Sequence, residues 1–273
     1  MGLIIEVTGV DWSGRGYPLA NGFVANDNLL AGFDFRLRSD RLTDVSGRGF
    51  TATPYRNNIN GAALVEDATV LENASGGQGI IVRNGMLDLK LSNREFPLNG
   101  SIHFTTMVVG GYSGIPFDAG QPGGTANICN LVDMGNGVSA GDCPPVLQQY
   151  RVDTSLGARI RSSAASNIGA AAGLGVKTCF FVTYDGLKVT YKNMTTGALV
   201  ERTNAQLGIV GSSLKPAVNC PTLRSGNYLV GTSAVIGLYP ELYQVAQWDK
   251  VLTADEMQAQ YLSSKSLFPS IGI

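Results

Sequence analysis

Recognition of a sugar calls for two kinds of side chain: an aromatic face for the C–H side of the ring, and amides or carboxylates for its hydroxyls. Trp12, Tyr17, Tyr55 and Tyr112 fall in stretches that read as loops, and Asn57 and Asn58 stand close behind Tyr55, so these six residues are the candidate ligand-binding set. Cleavage would need more. Retaining glycoside hydrolysis uses a pair of carboxylates flanking the bond, and an E-x-D-x-E run on one strand would put three acids on one face, but the chain contains none. Glu66, Asp67 and Glu72 lie near one another with a different spacing, in an Asn/Ala/Gly context. The single histidine, His103, has no serine or cysteine motif beside it and is expected as a surface or strand-end residue. No catalytic residue is assigned, and a non-enzymatic protein is expected.

Metal and nucleotide chemistry find equally little to work with. Cys129, Cys143, Cys179 and Cys220 lack CxxC spacing and neighbouring histidines, and there is no DxDxDG loop, so no metal ligands and no cofactor are assigned. Cys129 and Cys143 flank a Gly-rich loop and could be bridged, while free thiols are equally consistent. Gly173 to Thr178, GLGVKT, has Val176 between the glycine and Lys177 and is not a phosphate loop.

The elements that must position these residues are read best at the C-terminal end. Asn227 to Lys265 places a strand (Tyr228 to Val230), a second strand (Leu242 to Trp248), a turn and one short helix in succession. Thr253 can cap the first helical turn, Glu256 can reach back to it, and Asp255 suits the positive end of the dipole, which together make a capping box. The apolar stripe of Met257, Tyr261 and Leu262 is too narrow for a freestanding helix, so it should lie on a sheet.

Upstream, Asp11 to Gly16 (DWSGRG) and Asp44 to Gly49 (DVSGRG) are near copies of a tight turn in which Asp accepts from amides two residues on and the glycines take positive φ. Ile80 to Leu91 reads as a hairpin turning at Asn84 and Gly85, with Leu87, Leu89 and Leu91 on one side. Phe104 to Val109 is a strand bracketed by Gly100 and by Gly110 with Gly111. Cys179 to Tyr191 is a second hairpin turning at Asp185 and Gly186. Gly110 to Pro145 shifts to Gly, Pro, Asn and Asp around one strand at Ile128 to Met134, and is the first place to look for a binding surface. Trp248, on a strand, is expected in the core or at an interface.

The chain holds 273 residues, 44% hydrophobic and only 15% charged, with 35 glycines and a net charge of −1. Charged residues fall well under the ~25% of ordinary domains, and 20 basic against 21 acidic residues without runs leave no footprint for nucleic acid. No apolar run reaches the roughly 20 residues of a membrane span, and Glu6 interrupts an N-terminus that also lacks a leader's basic start. A soluble protein with no cleaved leader, no membrane insertion and no nucleic-acid partner is expected.

Strand, WDKVLTADEM and helix resemble the closing segment of laminin-G-like, concanavalin A-like jelly rolls, except that Gln247 stands where an aliphatic residue is usual. The opening strand with DVSGRG and the TYDGLKVTY hairpin resemble other parts of the same family. The resemblance implies an all-β antiparallel β-sandwich jelly roll over residues 29 to 273 with one short C-terminal helix, and residues 1 to 28 are expected to be a strand-and-turn attachment segment. In general character the chain also resembles virion proteins of tailed bacteriophages. That likeness implies a structural position in the virion, other virion proteins as partners, a homo-oligomer with a trimer favoured, and contact with host-surface glycans. A free lectin and a polysaccharide depolymerase are the alternatives.

Overall fold

The computed structural model describes residues 22–24, 28–36, 39–56, 65–90, 103–115, 128–132, 146–150, 155–159, 166–167, 176–206, 224–226, 229–230, 233–234 and 239–273. In chain order the strands are β1 (Leu29–Asp34), β2 (Thr53–Arg56), β3 (Leu71–Asn73), β4 (Ile80–Val82), β5 (Gly85–Asp88) and β6 (Phe104–Tyr112). Then follow β7 (Ile128–Val132), β8 (Val146–Tyr150), β9 (Ser155–Arg159), β10 (Ser166–Asn167), β11 (Lys177–Tyr184), β12 (Lys188–Asn193) and β13 (Leu199–Thr203). The last are β14 (Arg224–Gly226), β15 (Leu229–Val230), β16 (Ser233–Ala234) and β17 (Pro240–Trp248), before helix α1 (Ala254–Leu267).

An eight-stranded antiparallel sheet runs β13-β12-β11-β6-β17-β4-β3, with β1 also on β17. Strand β17 holds two neighbours besides β6, Glu241 and Leu242 pairing with β4 and the residues from Gln244 to Trp248 with β1, and its register on β6 slips between Leu242 and Gln244. A three-stranded sheet, β14-β5-β2, a four-stranded one, β10-β9-β8-β7, and the two-stranded pair β15-β16 complete the strands. All are antiparallel, and the all-β sandwich with one C-terminal helix expected from the sequence is the architecture found.

Both faces of the large sheet are buried, which explains why β6, β11 and β17 are inaccessible along their whole length. On one face Phe33, Phe104, Val108, Phe180, Tyr191 and Val245 meet Leu87 and Leu89 of the second layer. The opposite face, carrying Met107, Phe181, Tyr243 and Trp248, is closed by Met257 of α1 and by Phe268 and Ile273 after it. Phe23 joins this second cluster edge-on to Trp248, with ring centroids 6.4 Å apart.

The local chemistry of the turns follows the sequence in several places. Asp44 accepts from Ser46 N (2.9 Å) and also from Gly32 N (2.8 Å), tying its turn to β1, while Gly47 and Gly49 have φ of 82°. Asp185 accepts from Leu187 N and Lys188 N at the β11–β12 hairpin, where Gly186 has φ 89°. The capping box is present: Glu256 N donates to Thr253 Oγ1 (3.2 Å) and Thr253 N donates to Glu256 Oε2 (2.8 Å). The first DWSGRG copy lies outside the described residues.

Three expectations are corrected. Ile80 to Leu91 is not a hairpin: β4 belongs to the large sheet and β5 to the three-stranded one, so the chain crosses between layers at Asn84, whose φ is 53°. Strand β6 does not stop at Gly110 and Gly111 but runs through both, and the missing Cβ at each lets the neighbouring backbone at Glu241 and Val176 approach closely. Finally, the buried face of α1 is Met257, Gln260 and Ser264, whereas Tyr261 is half-buried and Leu262 is 54% exposed. The register slip in β17 makes this face polar, since it turns Gln244 toward the helix, where Gln244 Oε1 accepts from Ser264 Oγ (2.6 Å). Gln260 then holds the chain before β1, accepting from Val24 N (2.9 Å) and donating to Gly22 O (2.6 Å).

Candidate functional site

A concave feature built from described residues lies where β2, β3 and the β4–β5 crossover meet. Past the end of β2 the chain returns along it: Arg56 N donates to Val65 O (3.1 Å) and Asp67 N to Pro54 O (3.0 Å). Asp67 then caps a single 3-10 turn, Ala68–Val70, accepting from Thr69 N (2.9 Å) and Thr69 Oγ1 (2.6 Å). After β3 and β4, Arg83 N donates back to Val70 O (2.8 Å), and the left-handed Asn84 turns the chain into β5. These stretches close on one another because residue 85 is glycine: a Cβ there would strike the Tyr55 carbonyl and lie 2.7 Å from Val70.

The result is a cleft of about 320 Å³ lined by Arg56, Asp67, Thr69, Val70, Glu72, Arg83 and Asn84. Every group but Val70 is polar. Arg83 Nη1 donates to Glu72 Oε1 (2.9 Å), and its guanidinium lies 5.6 Å from the centroid of the Tyr239 ring. Tyr239 in turn donates to Asn84 Oδ1 (2.7 Å), which fixes that amide's orientation. The two bonds from Thr69 hold the Asp67 carboxyl below its ordinary pKa, the side-chain bond contributing most, with the Arg56 charge adding to the effect. Arg56, exposed at the strand end, makes no side-chain hydrogen bond or ion pair among the described residues.

Such a constellation can hold a small polyhydroxylated ligand by alternating donors and acceptors. Its volume is at the lower end of ordinary ligand clefts, ~300–1,000 Å³. It also contains two carboxylates, Asp67 and Glu72, the acids that sequence spacing set aside. Asp67 is capped by Thr69 and its pKa held down, and Glu72 is engaged by Arg83.

The residues expected to bind ligand divide three ways. Trp12, Tyr17, Asn57 and Asn58 lie outside the described residues. Tyr55 sits on β2 next to Arg56 but, by strand alternation, on the other face, where Lys90 Nζ lies 4.9 Å from its ring centroid and donates to its hydroxyl (2.8 Å). Tyr112 is not a loop residue: it ends β6, is 3% exposed, and donates to Ile115 O (3.0 Å). The expectation failed there because β6 continues through the two glycines that seemed to end it. Sequence reasoning missed Arg56, Thr69, Arg83 and Asn84, which come together only through the crossover between layers. The local signal available was Asp67-Ala68-Thr69, an N-cap pattern. Trp248 is core, with no exposed surface, and His103 is exposed just before β6. No His/Cys/Asp/Glu group able to hold a metal occurs among the described residues.

No family model matches the chain, and no curated protein sequence matches it either. Among solved structures it is similar to Trypanosoma rangeli sialidase, with a TM-score of 0.56 and 13% identity over 88% of this chain and 33% of that one. It is similar also to the binding domain of botulinum neurotoxin DC in complex with rat synaptotagmin II (TM-score 0.54, 10% identity, 89% of this chain and 52% of that one). A botulinum neurotoxin type C structure, concerned with interaction with two ganglioside molecules, gives 0.53 and 8% over the same shares. The likeness is one of fold. The chain spans about a third of the sialidase and about half of the toxin chains, and what it shares with them is the β-sandwich.

Proposed function

We propose that this chain is a non-enzymatic, glycan-binding β-sandwich and a structural component of a tailed-bacteriophage virion. The glycan reading is carried by one observation: polar groups from β2, the 3-10 turn, β3 and the β4–β5 crossover converge on a sugar-sized cleft, with Asn84 and Glu72 already oriented by Tyr239 and Arg83. Solved structures of similar fold include proteins whose names concern sialic acid and gangliosides, which supports the same reading. The test is a glycan array probed with the whole chain. Saturable binding that weakens at least tenfold in Glu72→Ala, with the melting temperature kept, is expected. Wild-type and variant binding alike would refute the cleft as the site.

The virion reading rests on composition. A weakly charged, Gly-rich chain suits permanent assembly with other virion proteins and with copies of itself, a trimer being favoured. The attachment segment, expected over residues 1 to 28, is proposed to be only residues 1 to 21, because Phe23 is packed into the sandwich. Deleting residues 1 to 21 should leave a folded monomer by sedimentation.

The two carboxylates in the cleft give one observation to a second reading, hydrolysis of a polysaccharide. It predicts new reducing ends from capsular polysaccharide, lost in Asp67→Asn and in Glu72→Gln.

A further inference from the structure

We propose that the cleft selects glycans bearing a carboxylate, and that Arg56 is the residue that reads it. The proposal rests on the glycan-binding reading above and adds the chemical class of the ligand.

The two arginines of the cleft are in different states. Arg83 is committed: Glu72 balances its charge at 2.9 Å and its plane lies against Tyr239. Arg56 is held only by its backbone, through Val65 O and through the β2–β5 pairing opposite Gly85, so its Cα is fixed while its guanidinium is left open at the cleft. Asp67, an acid of the same cleft, is already engaged by the two Thr69 donors and feels the Arg56 charge without forming an ion pair with it.

An uncommitted guanidinium offers five N–H donors in a planar fork, and the planar partner that fits it with two parallel bonds is a carboxylate. Tetrahedral sulfate esters can also accept two bonds from the fork, but they are not coplanar with it, and the experiment below separates the two. The remaining groups of the cleft, Thr69, Asn84 and the free oxygens of Glu72 and Asp67, suit neutral hydroxyls. A sugar acid would thus place its carboxylate on Arg56 and its hydroxyls on these groups.

The experiment is an array on which each acidic glycan stands beside its carboxyl-reduced counterpart and beside sulfated, carboxyl-free glycans, probed with wild type, Arg56→Gln and Arg56→Lys. Expected are hits on carboxylated glycans that disappear on reduction, fall about tenfold or more in Arg56→Gln, and are only partly recovered by Arg56→Lys. Arg56 is exposed at a strand end, so both variants should melt with wild type. Equal binding of reduced and unreduced glycans, or a preference for sulfate indifferent to carboxyl reduction, overturns the proposal and leaves the glycan reading standing. Hits lost on reduction but unchanged in Arg56→Gln overturn the role of Arg56. Silence across the array overturns both readings.

Discussion

Lys177 and Glu241 form a buried ion pair across an intervening strand. Lys177 on β11 and Glu241 on β17 are both registered to Gly111 of β6, and their side chains meet at 2.8 Å (Nζ to Oε2). Only 6% and 7% of the two side chains is exposed. The missing side chain at Gly111 leaves room for the bridge, since a Cβ there would lie 3.2 Å from Lys177 Cδ. Lys177 also donates to Tyr112 O (2.7 Å), and the Tyr243 hydroxyl donates to Glu241, so the charges are well satisfied. Burial, helped by that bond to Glu241, raises the pKa of the Tyr243 phenol.

Removing one member should therefore cost far more than removing both. Lys177→Met alone strands a buried carboxylate and is expected to lower stability by ~3–5 kcal/mol, while Lys177→Met with Glu241→Leu should recover most of that loss. Urea unfolding of the two singles and the double supplies the cycle; additive losses would show the residues are not coupled.

Gln247 should be improvable. It is 1% exposed and neither atom of its amide finds a hydrogen-bond partner among the described residues, a situation that costs about 1–3 kcal/mol. Gln247→Leu removes the unsatisfied groups at nearly the same volume and is expected to raise the melting temperature by several degrees. A fall would mean that the amide has a partner in the working protein.

The α1 cap predicts a pH dependence. Lys250, donating to Glu256 Oε1 at 2.6 Å, and the Thr253 amide hold the Glu256 carboxyl below its ordinary pKa. A lowered folded value means the contribution is fully present above the unfolded pKa of about 4.3 and is lost as pH falls through the folded one. Thr253→Ala should cost ~1 kcal/mol at neutral pH. In Lys250→Ala the part of the acid-range fall in stability that belongs to Glu256 should shrink, as read from denaturant midpoints between neutral pH and pH 3.

Gly85→Ala tests how the cleft is built. A methyl group there collides with the Tyr55 carbonyl and Val70, so β2 and the 3-10 turn must separate. Stability should drop by ~1–3 kcal/mol, and glycan affinity should fall even though residue 85 touches no ligand. Unchanged affinity in a destabilised variant would detach the cleft from the binding reading.

The sequence carried whatever is decided within a few residues. Thr253 with Glu256, Asp44 with Ser46, and Asp185 with Leu187 each close a hydrogen bond over two or three positions, with Gly47, Gly49 and Gly186 at positive φ, so these turns and caps were legible in the sequence. Alternation likewise placed Leu87 and Leu89 in the core. Pairing was a different matter. Asn84-Gly85 has the composition of a hairpin turn, but β4 pairs with β3 and β17, and β5 with β2 and β14, so the two strands do not pair with each other.

Tertiary structure alone decided the site and the polar seam under α1. Arg56 and Arg83 share a cleft because the chain changes layers at Asn84, and Ser264 can be buried because a slipped register turns Gln244 toward it. The physical reason is range: turn and cap energies are settled by neighbours in sequence, whereas which strand edges meet, and which polar groups are thereby buried together, depends on the packing of the whole sheet.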